Sequence, residues 1–209
     1  GDAVVVLPAF ADGAASHAVA GPAGSGTLHI EAGVLLSFAE GLFAALLKTG
    51  FRNVVGVIHH QTENFSQGMP TDLAFRLAAR NAIFRHLEGE RGPGWWGDGA
   101  MKDYYAQQAA ATDPFNWIRV VPLFPPDSGF PFDHAGLGET ALMLALAPET
   151  VAMQRVAEGG HWYTQTAAQA TANLGAQGVT IALQHLRDLL GLQPPVDPLQ
   201  PDFNPCQAR

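Results

Sequence analysis

The sequence predicts an α/β domain with a mainly parallel sheet. Short Val-rich runs alternate with longer stretches of helical periodicity, and 47% of the 209 residues are hydrophobic, enough for one sizeable core. Residues 3–7, Ala-Val-Val-Val-Leu, read as a buried strand ended by Pro8. Residues 9–25 are rich in Gly, Ala and Ser and read as a long irregular loop containing His17. Over residues 31–47 the apolar positions Leu35, Phe38, Leu42, Phe43, Leu46 and Leu47 recur at helical spacing, and Gly50 supplies a stop. Residues 53–58 form a second buried strand, so strand, helix and strand suggest a parallel crossover.

The polar loop 59–72 follows, and Thr71 or Asp72 can cap a helix running to about residue 86. Trp95 and Trp96 lie among glycines in a loop- or lid-like segment, 92–99, and residues 117–123 read as a third strand closed by Pro125 and Pro126. Leu142, Leu144 and Leu146 fit strand or helix, but Ala, Leu and Met favour a helix, with Pro148 just past its end. A last amphipathic helix is expected over 167–192, and residues 193–209 read as a proline-rich tail. In parallel sheets ligands bind beyond the carboxyl ends of the strands, so the loops 59–72 and 124–139 are expected on one edge.

Composition excludes several classes. The net charge is -8 with only 11 Lys+Arg, and no basic stripe is visible, which argues against nucleic acid and anionic membrane as partners. The single cysteine, Cys206, excludes a disulfide framework and makes the cytoplasm the default compartment. Apolar stretches such as 34–47 are interrupted by Ser37, Glu40 and Gly41, so no transmembrane helix is expected. Gly1 and Asp2 lead straight into the first apolar run, so no signal peptide is expected, and the lack of an initial Met suggests a processed or trimmed chain. No Gly-x-Gly-x-x-Gly or phosphate-loop string supports a nucleotide-binding module.

Two loops carry candidate chemistry. His59, His60 and Glu63 lie within five residues directly after a strand, and neutral imidazoles with a carboxylate suit Zn²⁺ or Mn²⁺. The bland alternative is a solvated polar loop. His134 and Glu139 sit at or before the mouth of the Leu142 helix, where outward N–H groups favour local chemistry. A structural His–Glu pair is the alternative there. Trp95, Trp96 and Phe130 could wall a substrate pocket together with His17, and for the two tryptophans core packing or a subunit contact is an equal reading.

The run His134-Ala135-Gly136-Leu137-Gly138-Glu139-Thr140-Ala141-Leu142-Met143-Leu144-Ala145-Leu146 resembles the creatininase family, which carries His-Ala/Gly-Gly-x-x-Glu-Thr-Ser-Leu-Met-Leu-Ala-Leu. Gly50-Phe51-Arg52-Asn53-Val54-Val55-Gly56-Val57 before His59-His60 is similar to the family's Gly-x-Arg-x-Leu/Val-Val-x-x-Asn-Gly-His-x-x-Asn. The resemblance implies a single three-layer α/β/α domain over residues 1–192, a divalent metal (Zn or Mn), and hydrolysis of a non-peptide C–N bond in a small, cyclic amide. Carried over by position, His60 matches a metal-binding histidine and Glu63 a ligand carboxylate, one residue further on than in the family. His59 replaces the usual Gly and is either a compensating ligand or a neighbour. His134 matches a histidine assigned an acid/base role, and Glu139 matches the Glu before Thr-Ser-Leu-Met. A ring-like homo- or hetero-oligomer, including one with a second creatininase-like chain, is also implied.

One departure stands out. The family opens with Leu-Pro-x-Gly-x-x-Glu-Gln-His-Gly and a later Asp, which supply three metal ligands. This chain has no Glu-x-His followed by Asp, only Asp2, Asp12 and His17, so the domain reads as shortened at its N-terminus. Three arrangements are open. The segment is cleaved or supplied by another polypeptide; the chain is a non-catalytic or regulatory partner of a competent subunit; or a single metal binds through His59, His60 and Glu63.

Overall fold

A computed structural model of the chain describes residues 4–10, 13–14, 30–59, 66–131, 133–158 and 162–192. Helix α1 (Ala32–Thr49) buries Leu35, Ala39, Phe43 and Leu47, a stripe at four-residue spacing, against α2 (Pro70–Arg91). It ends at Gly50, whose φ of 106° is a left-handed conformation that glycine adopts without a side-chain penalty. At 18 residues α1 is long and apolar enough to cross a membrane by length and composition alone, a test that the core helix of a globular domain also passes. Here its apolar stripe is covered by α2, and Glu40 on its flank accepts hydrogen bonds from Asn81 and Arg85.

Arg52 joins α1 to the sheet. Its Nη1 donates to the Leu47 carbonyl at 2.7 Å, completing the helix end, while its guanidinium lies 4.6 Å from the Trp117 ring. Strand β1 (Val54–Ile58) follows and pairs in parallel with β2 (Ile118–Pro122), Val54 opposite Ile118 and Ile58 opposite Pro122. Helix α2 is the crossover between them. It opens on Pro70, whose missing N–H costs nothing there, and Asp72 accepts from the Met69 N–H at 2.6 Å.

Helices lie on both faces of the parallel pair. Ile118 and Val120 point into a core with Phe43, Ile83, Leu87 and Phe115, contributed by α1, α2 and the turn before β2. Arg119, on the opposite face, donates to the Leu189 carbonyl in α5 (Ala172–Leu190) at 2.8 Å. His185 of α5 also lies 3.2 Å from the Pro122 carbonyl. The molecule is therefore α/β/α, as the sequence predicts. The short helix α3 (Tyr104–Ala109) precedes β2, and α4 (Leu137–Leu146) packs on α5.

The α4–α5 joint uses missing side chains. A Cβ on Gly175 would run into the Ala141 carbonyl oxygen, and one on Gly178 would meet the Phe130 ring at 2.5 Å. A Cβ on Gly138 would collide with the Pro131 carbonyl oxygen. The helices and the loop ahead of α4 are therefore in contact through backbone.

Two elements differ from the sequence reading. Residues 4–7 form no strand: Val5 is 63% and Val6 85% exposed, and no described strand lies beside them. A β-branched run favours a pleated conformation only where a ladder accepts it. The final helix begins at Ala172, five residues later than expected, because Ala167–Gln169 is a separate 3-10 turn and Thr171 caps the helix through the Leu174 N–H.

Candidate active site at the carboxyl edge of the sheet

The segment 133–139 is held by a helix cap. The first N–H groups of α4 have no partner inside the helix and must find one elsewhere. Asp133 supplies most of it. Its Oδ1 accepts from Gly136 N at 3.1 Å and from Glu139 N at 3.4 Å, and its Oδ2 from Gly138 N at 3.0 Å. Thr166 Oγ1 accepts from Leu137 N at 3.0 Å, and Thr140 N bonds to the Gly136 carbonyl. Every one of these donors is satisfied. Gly136 is needed because a Cβ there would press on the Asp133 carboxylate and Thr166 hydroxyl at 2.5 Å. Ala135 takes a left-handed φ of 54°, and this bend aims its N–H at Glu139.

The bend brings the two loops together. His59 leaves the end of β1, and its Nε2 lies 3.6 Å from Glu139 Oε1. Glu139 Oε2 accepts from Ala135 N at 2.8 Å. Burial acts to raise the Glu139 pKa. The His59 imidazole, the Ala135 N–H and the nearby His134 outweigh it and hold the carboxyl below its ordinary value. Glu139 is thus an anion kept beside two imidazoles. His134 stands edge-on to Tyr163, ring centroids 5.6 Å apart, and His59 lies 6.2 Å from Phe124. Phe124 stacks on Phe130 at 4.8 Å, so Phe130 supports the site from the α4–α5 core.

His59, His134 and Glu139 thus fall at one edge of the sheet. Trp95 lies elsewhere, buried in the α1–α2 core against Phe84 and Tyr104. Trp96 is exposed beside Tyr104. His17, His60 and Glu63 lie outside the described residues. Asp133, Thr166 and Tyr163 were not singled out in the sequence. An Asp ahead of a Gly-rich helix start is a capping signal that could have found the first. Thr166 and Tyr163 arrive from a separate segment with no such signal.

A divalent ion fits this site only in part. A neutral imidazole and an ionised carboxylate facing one another are suitable donors. Among the described residues, however, no group of three or more His, Cys, Asp or Glu could hold a metal. Two donors do not make a metal centre, so the described residues alone do not fit the ion.

Comparison with known proteins agrees with this architecture. No protein of curated function matches the chain. Among solved structures, creatinine amidohydrolase (creatininase) aligns with a TM-score of 0.61 at 18% identity, covering 90% of this chain and 74% of its own. A tryptophan-to-phenylalanine mutant of creatininase gives 0.58 at 15% identity, with 85% and 71% covered. A glutamate-to-glutamine mutant of creatininase complexed with creatine gives 0.53 at 15% identity, with 87% and 72% covered. At such identities the likeness establishes the fold. The family model described as creatinine amidohydrolase matches residues 1–190, and the chain belongs to the creatininase family.

Proposed function

We propose that this chain is a metal-dependent amidohydrolase that cleaves a non-peptide C–N bond in a small, cyclic amide and works within an oligomeric assembly. The observation that carries the reading is the ionised Glu139 beside His59 at the carboxyl edge of the sheet, with His134 near enough to help lower its pKa. Membership of a family of amidohydrolases supports it. Hydrolysis of an amide moves one proton from the attacking water to the leaving nitrogen. His134 is the proposed carrier of that proton. Glu139, 3.6 Å from His59 Nε2, holds that imidazole at the site. Stacked Phe124 and Phe130 back His59 and exclude water from that side.

Zn²⁺ or Mn²⁺ is part of the proposal, with His60, Glu63 or a partner chain as the source of further donors. A second reading, a non-catalytic or regulatory partner subunit, is favoured by the two-donor count among the described residues. The single cysteine in 209 residues supports a cytoplasmic setting for either.

The test is hydrolysis of creatinine and a panel of small lactams and cyclic ureides, with and without added Zn²⁺ or Mn²⁺. Turnover that falls about 100-fold or more in His134→Ala supports catalysis by this chain. No turnover by the metal-loaded chain, with turnover restored only by a second creatininase-like chain and indifferent to His134→Ala, would establish the partner reading instead.

A further inference from the structure

Among the described residues β2 pairs with β1 alone, and no described strand lies along its other edge. A cleft of about 310 Å³ runs along that edge, lined by the consecutive residues Ile118, Arg119, Val120 and Val121. Side chains of a strand alternate between faces, so a lining of consecutive residues marks the backbone edge and not one face. The far wall is α2, through Arg76, Ala79 and Arg80. Unpaired N–H and C=O groups along such an edge are a template for another strand, and parallel sheets of two strands are below the usual size.

The charge of the cleft runs against that of the protein. The chain has 11 Lys+Arg against 19 Asp+Glu, yet three arginines line this one cleft and no acidic residue does. Arg80 Nη1 donates to the Phe115 carbonyl at 3.2 Å, and Arg119 Nη2 to Asn53 Oδ1 and the Leu189 carbonyl, both at 2.8 Å. These neutral oxygens fix the two guanidiniums without cancelling their charge. Arg76 and Arg80 are one helical turn apart on the same face, about 6 Å between Cβ atoms. Side chains at i and i+2 of an extended strand are about 7 Å apart, a matching interval.

We propose that the cleft takes an extended peptide segment with acidic side chains at alternate positions, added to β2 as a further strand. Its backbone bonds to this edge of β2, and its carboxylates face Arg76 and Arg80. This binding site is independent of the hydrolytic reading, being formed by α2 and β2 away from His59 and Glu139.

A fluorescein-labelled Thr-Glu-Val-Glu-Val-Glu-Thr peptide, measured by anisotropy on the full chain, tests it. Saturable binding is expected, weakened about tenfold or more by Arg76→Glu. A peptide of the same sequence N-methylated at alternate residues should bind about tenfold or more weakly, since it cannot complete the ladder. Arg76 is exposed, so Arg76→Glu leaves the core untouched, and an unchanged thermal melt checks this. Equal binding of the N-methylated peptide, or displacement by succinate or phosphate at the same concentration as the peptide, would show a small-anion site and overturn strand addition. So would absence of binding to the folded chain at millimolar peptide, or Arg76→Glu dissociating a dimer without affecting the peptide, which would assign the edge to a second copy.

Discussion

Removing the Asp133 carboxylate should cost the fold about 1–3 kcal/mol. In Asp133→Ala the N–H groups of Gly136, Gly138 and Glu139 lose their acceptor, and Thr166 loses a hydrogen-bond partner at 3.5 Å. Loss of a helix cap costs about 0.5–2 kcal/mol, and loss of a negative charge at a helix N-terminus about 0.3–1 kcal/mol more. The bond to Glu139 N, at 3.4 Å, is the weakest of the three and contributes least. Asp133→Asn keeps one acceptor oxygen but turns an NH₂ group toward a donor that Asp133 satisfies, so it should recover less than half of the loss. Urea unfolding at neutral pH measures both, with an unchanged m-value confirming that the native compactness is preserved. Because Ala135 and Glu139 ride on the capped turn, the alanine variant should also lose activity beyond its loss of stability. A cost for Asp133→Ala below about 0.5 kcal/mol, or full rescue by asparagine, would refute the accounting of donors at this helix start.

Glu139→Gln should remove a pH-dependent stabilisation. The carboxyl titrates below its ordinary value of 4.5 in the fold, so its contribution is fully present above 4.5 and lost as pH falls through the folded value. Denaturant unfolding at a series of pH values should show the wild-type advantage shrinking on acidification, and an advantage that grows instead would reverse the assignment. His59→Ala should raise the Glu139 pKa toward 4.5, read by carboxyl NMR titration. Gly175→Ala gains about 1 kcal/mol of helix propensity but sets a methyl against the Ala141 carbonyl, an overpacking cost of about 1–3 kcal/mol, so a net loss is expected in thermal melts. Gly41→Ala on α1 meets nothing within 4 Å and should stabilise by about 0.5–1 kcal/mol.

Helices α1, α2, α4 and α5 and both paired strands were legible because their signals are local, whereas the short α3 was not read. The Leu35–Phe43–Leu47 spacing, the Val-rich 53–58 run and the glycine after α1 each state their own geometry. The family resemblance was legible in the 134–146 run, which keeps its helix-forming and capping chemistry together. What escaped depends on partners distant in sequence. Residues 4–7 look like a strand, but a strand is a pairing and no described neighbour provides one. Trp95 sits in a Gly-rich stretch that suits a pocket wall, and only packing against Phe84 and Tyr104 makes it core. The meeting of His59 with Glu139 spans 80 positions, and the sequence implied only a shared edge. Thr166, bonded to Leu137 N, carries no local sign of that role.

The glycine contacts between α4 and α5 have a consequence for how a ligand would be received. Where Gly175 meets the Ala141 carbonyl and Gly138 the Pro131 carbonyl, the contact is backbone on backbone and has no side-chain rotamer entropy to lose when something binds. The 133–139 turn is thereby registered on α5 in advance. Its capped donors are already committed, so no rearrangement of α4 is available to tighten around an occupant. Glu139 is thus a fixed jaw of the site, set in place before an occupant arrives.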